Sequence, residues 1–276
     1  MILVTGLTPA WQQILQFESL RLGQVNRART AHWCASGKVF NVAIALARLG
    51  AACQCVSPVG ENVHEPVAAE LAEQGVEPRW VVTREPTRTC TTLIDSSNAT
   101  VTELVENARP LDERELTAMT ALYAAEVARA SAVVLTGSLP AGTPHTFYRD
   151  LLERTPCRAI LDGRGPELLA ALEQAPFVVK PNREELSATF HRSLAADDEL
   201  VAAMRELNQR GARWVVVTDG SEAVWASSLD GVFRLRPLAV EQVVNPIGCG
   251  DCLAAGLAWG LSLGHEVPHS LAIGMA

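Results

Sequence analysis

Short apolar runs alternate with amphipathic segments that stop at glycine, and this rhythm limits the possible folds of the 276-residue chain more than any other feature. Residues 1–7 read as a strand, and 41–50 as a helix with Val42, Ile44, Ala45, Leu46 and Leu49 on its apolar face. Residues 53–59 read as a strand, and 65–74 as a helix ended by Gly75. Strand, helix and glycine stop in succession are the mark of βαβ units on a parallel sheet. The rhythm resumes at Asp112, which caps a helix to Ala130. It continues through strands at 132–136, 159–162, 177–180 and 214–218, with helices ending at Arg154 and Gln174 and others at 184–190 and 198–210. Two more strands, near 223–227 and 232–235, follow. The expected fold class is α/β, a single domain over 1–276 with a mostly parallel central sheet. A small-molecule site on such a sheet lies at the carboxyl ends of its strands, where Ser138, Lys180 and Thr218 fall.

Between residues 76 and 106 the helices drop out. Stretches at 81–82, 89–95 and 100–105 are strand-like and joined by turns, as are 12–17 and 25–34. Their half-alternating pattern is that of a partly exposed antiparallel sheet. We expect a small β lid or dimerisation flap built from about 12–34 and 81–106. Its free strand edges favour a lid-to-lid homodimer.

With 48% hydrophobic residues the chain can bury a substantial core, while a net charge of −8 and a pI near 5.3 argue against nucleic acid or an anionic membrane as partner. No stretch approaches the ~20 apolar residues of a membrane span, and the N-terminus lacks the basic segment of a signal peptide. Seven cysteines without framework spacing fit a reducing cytoplasm. An acidic protein that handles phosphates must concentrate its basic residues locally, so individual Lys and Arg positions carry weight.

The chemistry-bearing stretch is Val244-Asn245-Pro246-Ile247-Gly248-Cys249-Gly250-Asp251-Cys252, which runs into a small-residue helix. The free N–H groups at a helix start, with the positive end of its dipole, bind anions. A carboxylate there is either a helix cap or a base that takes a proton from an attacking hydroxyl. Three other patterns mislead. His265-Glu266-Val267-Pro268-His269 has zinc-peptidase spacing, but Pro268 breaks the helix that must align both histidines. Cys249 and Cys252 have C-x-x-C spacing without a redox context, which reads as small buried cysteines filling alanine-sized space. Gly37-Lys38 lacks the earlier glycine and the Ser/Thr of a P-loop.

Gly248-Cys249-Gly250-Asp251 after Asn245 resembles the second signature of the ribokinase-like (PfkB) sugar kinases, and Gly37-Lys38-x-x-Asn41-Val42-Ala43 the first. Before and between them stand Pro9-Ala10, Val25-Asn26-Arg27, Thr87-Arg88, Thr102-Glu103-Leu104, Gly137-Ser138-Leu139-Pro140 and Lys180-Pro181-Asn182-Arg183-Glu184-Glu185. Their order is similar to that of the 1-phosphofructokinase and tagatose-6-phosphate kinase branch. The resemblance implies a ribokinase-like three-layer α/β/α fold with a small β-sheet lid, and an ATP- and Mg²⁺-dependent kinase for a sugar or sugar phosphate. It makes Asp251 the base and places Gly248, Cys249 and Gly250 around the moving phosphoryl group. Asn182 and Glu185 would organise Mg²⁺ through water. Lys180, Thr218 and Gly220 would lie on the nucleotide side. Gln12, Gly37, Lys38, Asn41, Arg88, Glu103 and Ser138 would hold the acceptor, with Arg27 reaching in from a partner.

Residue type alone leaves blander readings open: Asn41 as a helix cap, Lys38 as a loop charge, Arg88 as a lid surface charge, Lys180 and Glu185 as a solvated face. The departures from the family gather on the acceptor side. Gln12 replaces an Asp, Ser36 and Val39 replace glycines and so add side chains where backbone usually nears the ligand, Cys90 and Val105 replace asparagines, and Glu61 and His64 replace glycines. Such changes leave a kinase for a non-phosphorylated sugar or nucleoside, or a non-catalytic binding protein, as alternatives. The chain also stops within a segment that the family follows with a further helix, so a shortened C-terminus is expected.

Overall fold

The computed structural model describes residues 1–238 and 247–276, which leaves Val244, Asn245 and Pro246 outside the described residues. In chain order the strands are β1 (Ile2–Thr5), β2 (Ala10–Phe17), β3 (Thr30–Ser36), β4 (Cys53–Gly60), β5 (Glu77–Thr83), β6 (Thr89–Asp95), β7 (Thr100–Val105) and β8 (Ala132–Thr136). They continue with β9 (Arg158–Asp162), β10 (Val178–Val179), β11 (Trp214–Thr218), β12 (Val224–Ser227) and β13 (Val232–Leu235). The helices are α1 (Lys38–Arg48), α2 (His64–Glu73), α3 (Glu113–Val127), α4 (Phe147–Leu152), α5 (Gly165–Ala171), α6 (Arg183–Phe190), α7 (Asp197–Gln209), α8 (Cys249–Ser262) and α9 (Val267–Met275).

The large sheet has the order β13-β12-β11-β10-β9-β8-β1-β4-β5. It is parallel from β5 to β11, with β12 and β13 added antiparallel. Its central strands are apolar on both faces because helices cover both. Ile2, Val4, Val134 and Ile160 face a core shared with α1, α2, α8 and α9, whereas Leu3, Val133, Leu135 and Leu161 face α3 to α7. The result is three layers, the expected α/β/α class. A separate four-stranded sheet has the order β3-β2-β6-β7.

One boundary differs from the sequence reading. Val81 and Val82 lie on β5, which pairs in parallel with β4 from Gln54↔Glu77 to Gly60↔Thr83, and so belong to the large sheet. The cause is position: β5 is an edge strand with half-exposed residues, and its pattern imitates that of the small sheet. Helix α1 also starts earlier than the apolar periodicity suggests. Gly37 is its N-cap at φ 87, a conformation open to glycine at little cost.

The small residues of α8 have a packing reason. A methyl group on Gly256 would come within 2.3 Å of Gly274 Cα on α9, so the two helix backbones meet there without side chains between them. Gln54 on β4 is the opposite case: it is fully buried, and neither side-chain amide atom has a hydrogen-bond partner among the described residues. Gln54→Met keeps the shape and removes the orphaned groups. It is expected to raise stability to urea unfolding by about 1–3 kcal/mol; a loss of stability would show that the amide is satisfied in solution.

Candidate active site

The strands of the large sheet deliver polar residues to their carboxyl ends. Thr136 closes β8, Asp162 closes β9, Lys180 follows β10 and Thr218 closes β11. Helices α1 and α8 point their N-termini at the same edge and carry Lys38 and Asp251 in their first turns.

Asp162 is the hub. It is fully buried, with Lys38 Nζ 3.0 Å from Oδ1 and Lys180 Nζ 3.4 Å from Oδ2. Thr136 Oγ1 donates to Oδ2 at 3.3 Å. Burial alone would push its carboxyl upward, but Lys180 and then Lys38 outweigh it and hold Asp162 below the ordinary carboxylate range. Lys38 also lies 3.5 Å from Glu185 Oε1. Burial opposes its charge, yet Asp162 and Glu185 together raise its pKa, so it stays an ammonium. Lys180 is only 3% exposed.

Asp251 stands against this cluster. Its side chain makes no cap bond. Gly248, at φ 88, is the N-cap of α8, and the N–H groups of Asp251 and Cys252 both turn back to the Gly248 carbonyl at 2.9 Å. The cap reading therefore fails for Asp251, because a glycine in the left-handed region already occupies that position. It fails for Asn41 as well, which lies inside α1 and donates from Nδ2 to Asp251 Oδ2 at 2.7 Å. Burial, then the neighbouring Asp162 charge, push Asp251 from an ordinary 3.8 up to about 6, against the pull of Asn41, Lys38 and Lys180.

Asn182 is the N-cap of α6 and exchanges a capping box with Glu185: Glu185 N–H donates to Asn182 Oδ1 at 2.7 Å, and Asn182 N–H to Glu185 Oε2 at 2.8 Å. Asn182 also bridges Thr218 across β11. Glu185 and Lys180 are thus not a solvated face. Gly220 follows at φ 54 and is exposed.

The acceptor-side residues fare unevenly. Gln12 is buried and donates to Thr92 Oγ1 at 2.6 Å, with Cys90 opposite it in register. Arg88 spends three N–H groups on backbone carbonyls, those of Thr8 at 2.9 Å, Pro9 at 3.2 Å and Glu106 at 3.1 Å, and so ties the two ends of the small sheet together. Ser138, Glu103 and Arg27 are exposed, and among the described residues none of them contacts the lysine–carboxylate cluster. Val39 does not approach the site as its replacement of a glycine suggests. It is buried in the core beside Gly6. Ser36 turns to Asn41, with its hydroxyl 3.4 Å from Oδ1.

Asp162 escaped the sequence reading. The available signal was a single Asp closing the apolar strand Ala159-Ile160-Leu161, where nothing in a buried parallel strand requires a charge.

The geometry matches known folds along nearly its whole length. The chain is similar to phosphofructokinase-2 from Escherichia coli in complex with fructose-6-phosphate, at 24% identity over 99% of this chain and 91% of that one, with a TM-score of 0.91. It is similar to the possible 1-phosphofructokinase of Thermotoga maritima at 20% identity, covering 100% and 90% of the two chains with a TM-score of 0.87. Arabidopsis thaliana ribokinase complexed with ribose and ATP matches at 20% identity over 99% and 89%, with a TM-score of 0.75. The model of the pfkB family carbohydrate kinases matches residues 2–276, and the chain belongs to that family of sugar kinases.

Proposed function

We propose that this sugar kinase transfers the terminal phosphoryl group of ATP to a hydroxyl of a phosphorylated sugar, with Asp251 as general base. The observation that carries the reading is the state of Asp251: buried, fixed by Asn41, raised to about 6 and placed at the start of α8. A base works best when its pKa lies near the working pH. Asp251 sits in the first turn with the N–H groups of Cys249 and Gly250, which have no partner among the described residues and suit the charge spread over a phosphoryl group in flight. Lys38 and Lys180 would bring positive charge to the same point, and Asp162 holds both ammonium groups in place.

The residues present fit a nucleotide with Mg²⁺. The exposed Gly220 turn and the Thr218–Asn182 bridge would form the nucleotide side, and Lys180 would face the phosphates. Glu185 is committed to its cap and to Lys38, so it and Asn182 suit the outer hydration shell of Mg²⁺ better than direct ligation. Bound there, the cation would neutralise charge on the phosphate oxygens.

Arg88 keeps two of its five N–H donors after bonding the three carbonyls, enough for a bidentate grip on an acceptor phosphate. With the exposed Ser138 just past the carboxyl end of β8, this favours a sugar phosphate over a free sugar. The small sheet acts as the lid in this reading. Leu22, Val25, Trp33, Leu104 and Val105 are exposed on it and on its β2–β3 loop, which supports a lid-to-lid homodimer with Arg27 offered to the partner. Sedimentation of a monomer at micromolar concentration would count against the dimer.

ATP and Mg²⁺ with a panel of sugars and sugar phosphates test the activity. Turnover is expected with phosphorylated acceptors and is expected to fall at least about tenfold in Arg88→Ala through KM. Turnover confined to unphosphorylated sugars or nucleosides would overturn the acceptor assignment.

A further inference from the structure

Cys249 and Cys252 are not the buried space-fillers that their spacing and neighbours suggest. Cys53, Cys55 and Cys90 are buried and Cys34 and Cys157 are partly so, whereas Cys249 and Cys252 are the two exposed cysteines of the seven. They are the first and fourth residues of α8. Helix geometry puts Cα atoms three residues apart at about 5 Å, inside the range of roughly 4.4–6.8 Å that a disulfide spans. The two thiols also sense each other: Cys252 is pushed up first by burial, then by Asp251, then by Cys249.

We propose that Cys249 and Cys252 form a reversible disulfide that shuts off phosphoryl transfer. The proposal rests on the reading of the Gly248–Asp251 turn as the phosphoryl site. The oxidant is a low-molecular-weight disulfide such as oxidised glutathione. The Cys249 sulfur, as thiolate, attacks one of its sulfurs, forms a mixed disulfide and expels one glutathione thiolate. Cys252, after losing its proton, attacks the Cys249 sulfur, closes the S–S bond and expels the second. The protein loses two electrons and two protons, and glutathione disulfide becomes two thiols. The new bond would cinch the turn whose backbone presents the Cys249 N–H and which carries Asp251 in the chain between the two cysteines. Both groups that act on the phosphoryl transfer would then be displaced together.

The test uses the full chain in oxidised glutathione, with peptide mass mapping under non-reducing conditions and phosphoryl transfer measured before and after dithiothreitol. The expected result is a Cys249–Cys252 cross-link, two hydrogens lighter, with turnover down by at least about tenfold and restored on reduction. ATP with Mg²⁺ is expected to slow the cross-linking. Cys252→Ser and Cys252→Ala are expected to turn over like wild type in reducing buffer and, in oxidant, to carry one glutathione on Cys249 without a cross-link. Active enzyme that forms no cross-link in excess oxidant overturns the disulfide. Cross-linked enzyme that turns over at the reduced rate overturns the switch. Because mapping needs no turnover, a cross-linked chain whose reduced form never transfers phosphate counts against the site reading, and against the switch with it.

Discussion

Asp251→Asn is expected to lose phosphoryl transfer and to gain stability. The amide cannot accept a proton from the acceptor, and loss of a general base typically costs ~10²–10⁴-fold in kcat. The fold should hold, because an amide oxygen still accepts from Asn41 Nδ2. The gain in stability follows from linkage. Asp251 is raised from 3.8 to about 6 in the native protein, so the folded chain holds its proton more tightly than the unfolded chain. The stability that this proton contributes is fully present below pH 3.8 and is lost as the pH rises through 6. At pH 8 the ionised carboxylate therefore opposes folding by about 3 kcal/mol, the energy of a shift of that size. Urea unfolding of the variant at pH 8 should show an increase of that order, which fades below pH 4. A destabilised variant with ordinary turnover would remove Asp251 from the chemistry.

Asp162→Asn is expected to be the most destabilising single change at the site. Lys180 would remain 3% exposed without the ion-pair partner it has among the described residues, whereas Lys38 would keep Glu185 at 3.5 Å. Removing one partner from a buried ion pair costs about 3–5 kcal/mol. Asp162 is held below the ordinary carboxylate range, so its contribution is present above the unfolded pKa and is lost as the pH falls. The deficit should thus be largest at neutral pH and shrink in acid. Asp162→Asn, Lys180→Met, which removes both charges, should recover much of the loss in urea unfolding. No recovery would mean that the lysine charge is not what the aspartate is there to balance.

The sheet and its helices were legible because buried parallel strands and glycine-stopped helices leave local patterns. The turn at Gly248 was legible because two glycines and a carboxylate before a small-residue helix serve few other purposes. Lys38, Asn182 and Glu185 could be named through short signatures, and the structure brings Lys38 to Glu185 and Glu185 to Asn182. Asp162 left too little trace, because its role depends on two lysines from other elements and not on sequence neighbours. Val81 and Val82 misled because an edge strand of the large sheet alternates like a strand of the small one. Cys249 and Cys252 misled because exposure is set by what faces the start of α8, and that is a tertiary fact. Arg88 was visible as a motif, but its three carbonyl partners depend on how the small sheet joins the large one.

The pH dependence of kcat, measured with ATP, Mg²⁺ and an accepted sugar phosphate at saturation, tests the central claim most directly. The rate should rise with pH along an acid limb near pH 6, where Asp251 loses its proton. In Asp162→Asn the limb should move lower, because the Asp162 charge helps to raise Asp251. In Asp251→Asn the residual rate should show no such limb. A wild-type rate flat between pH 5 and 8, or a limb unchanged in Asp251→Asn, would contradict the account.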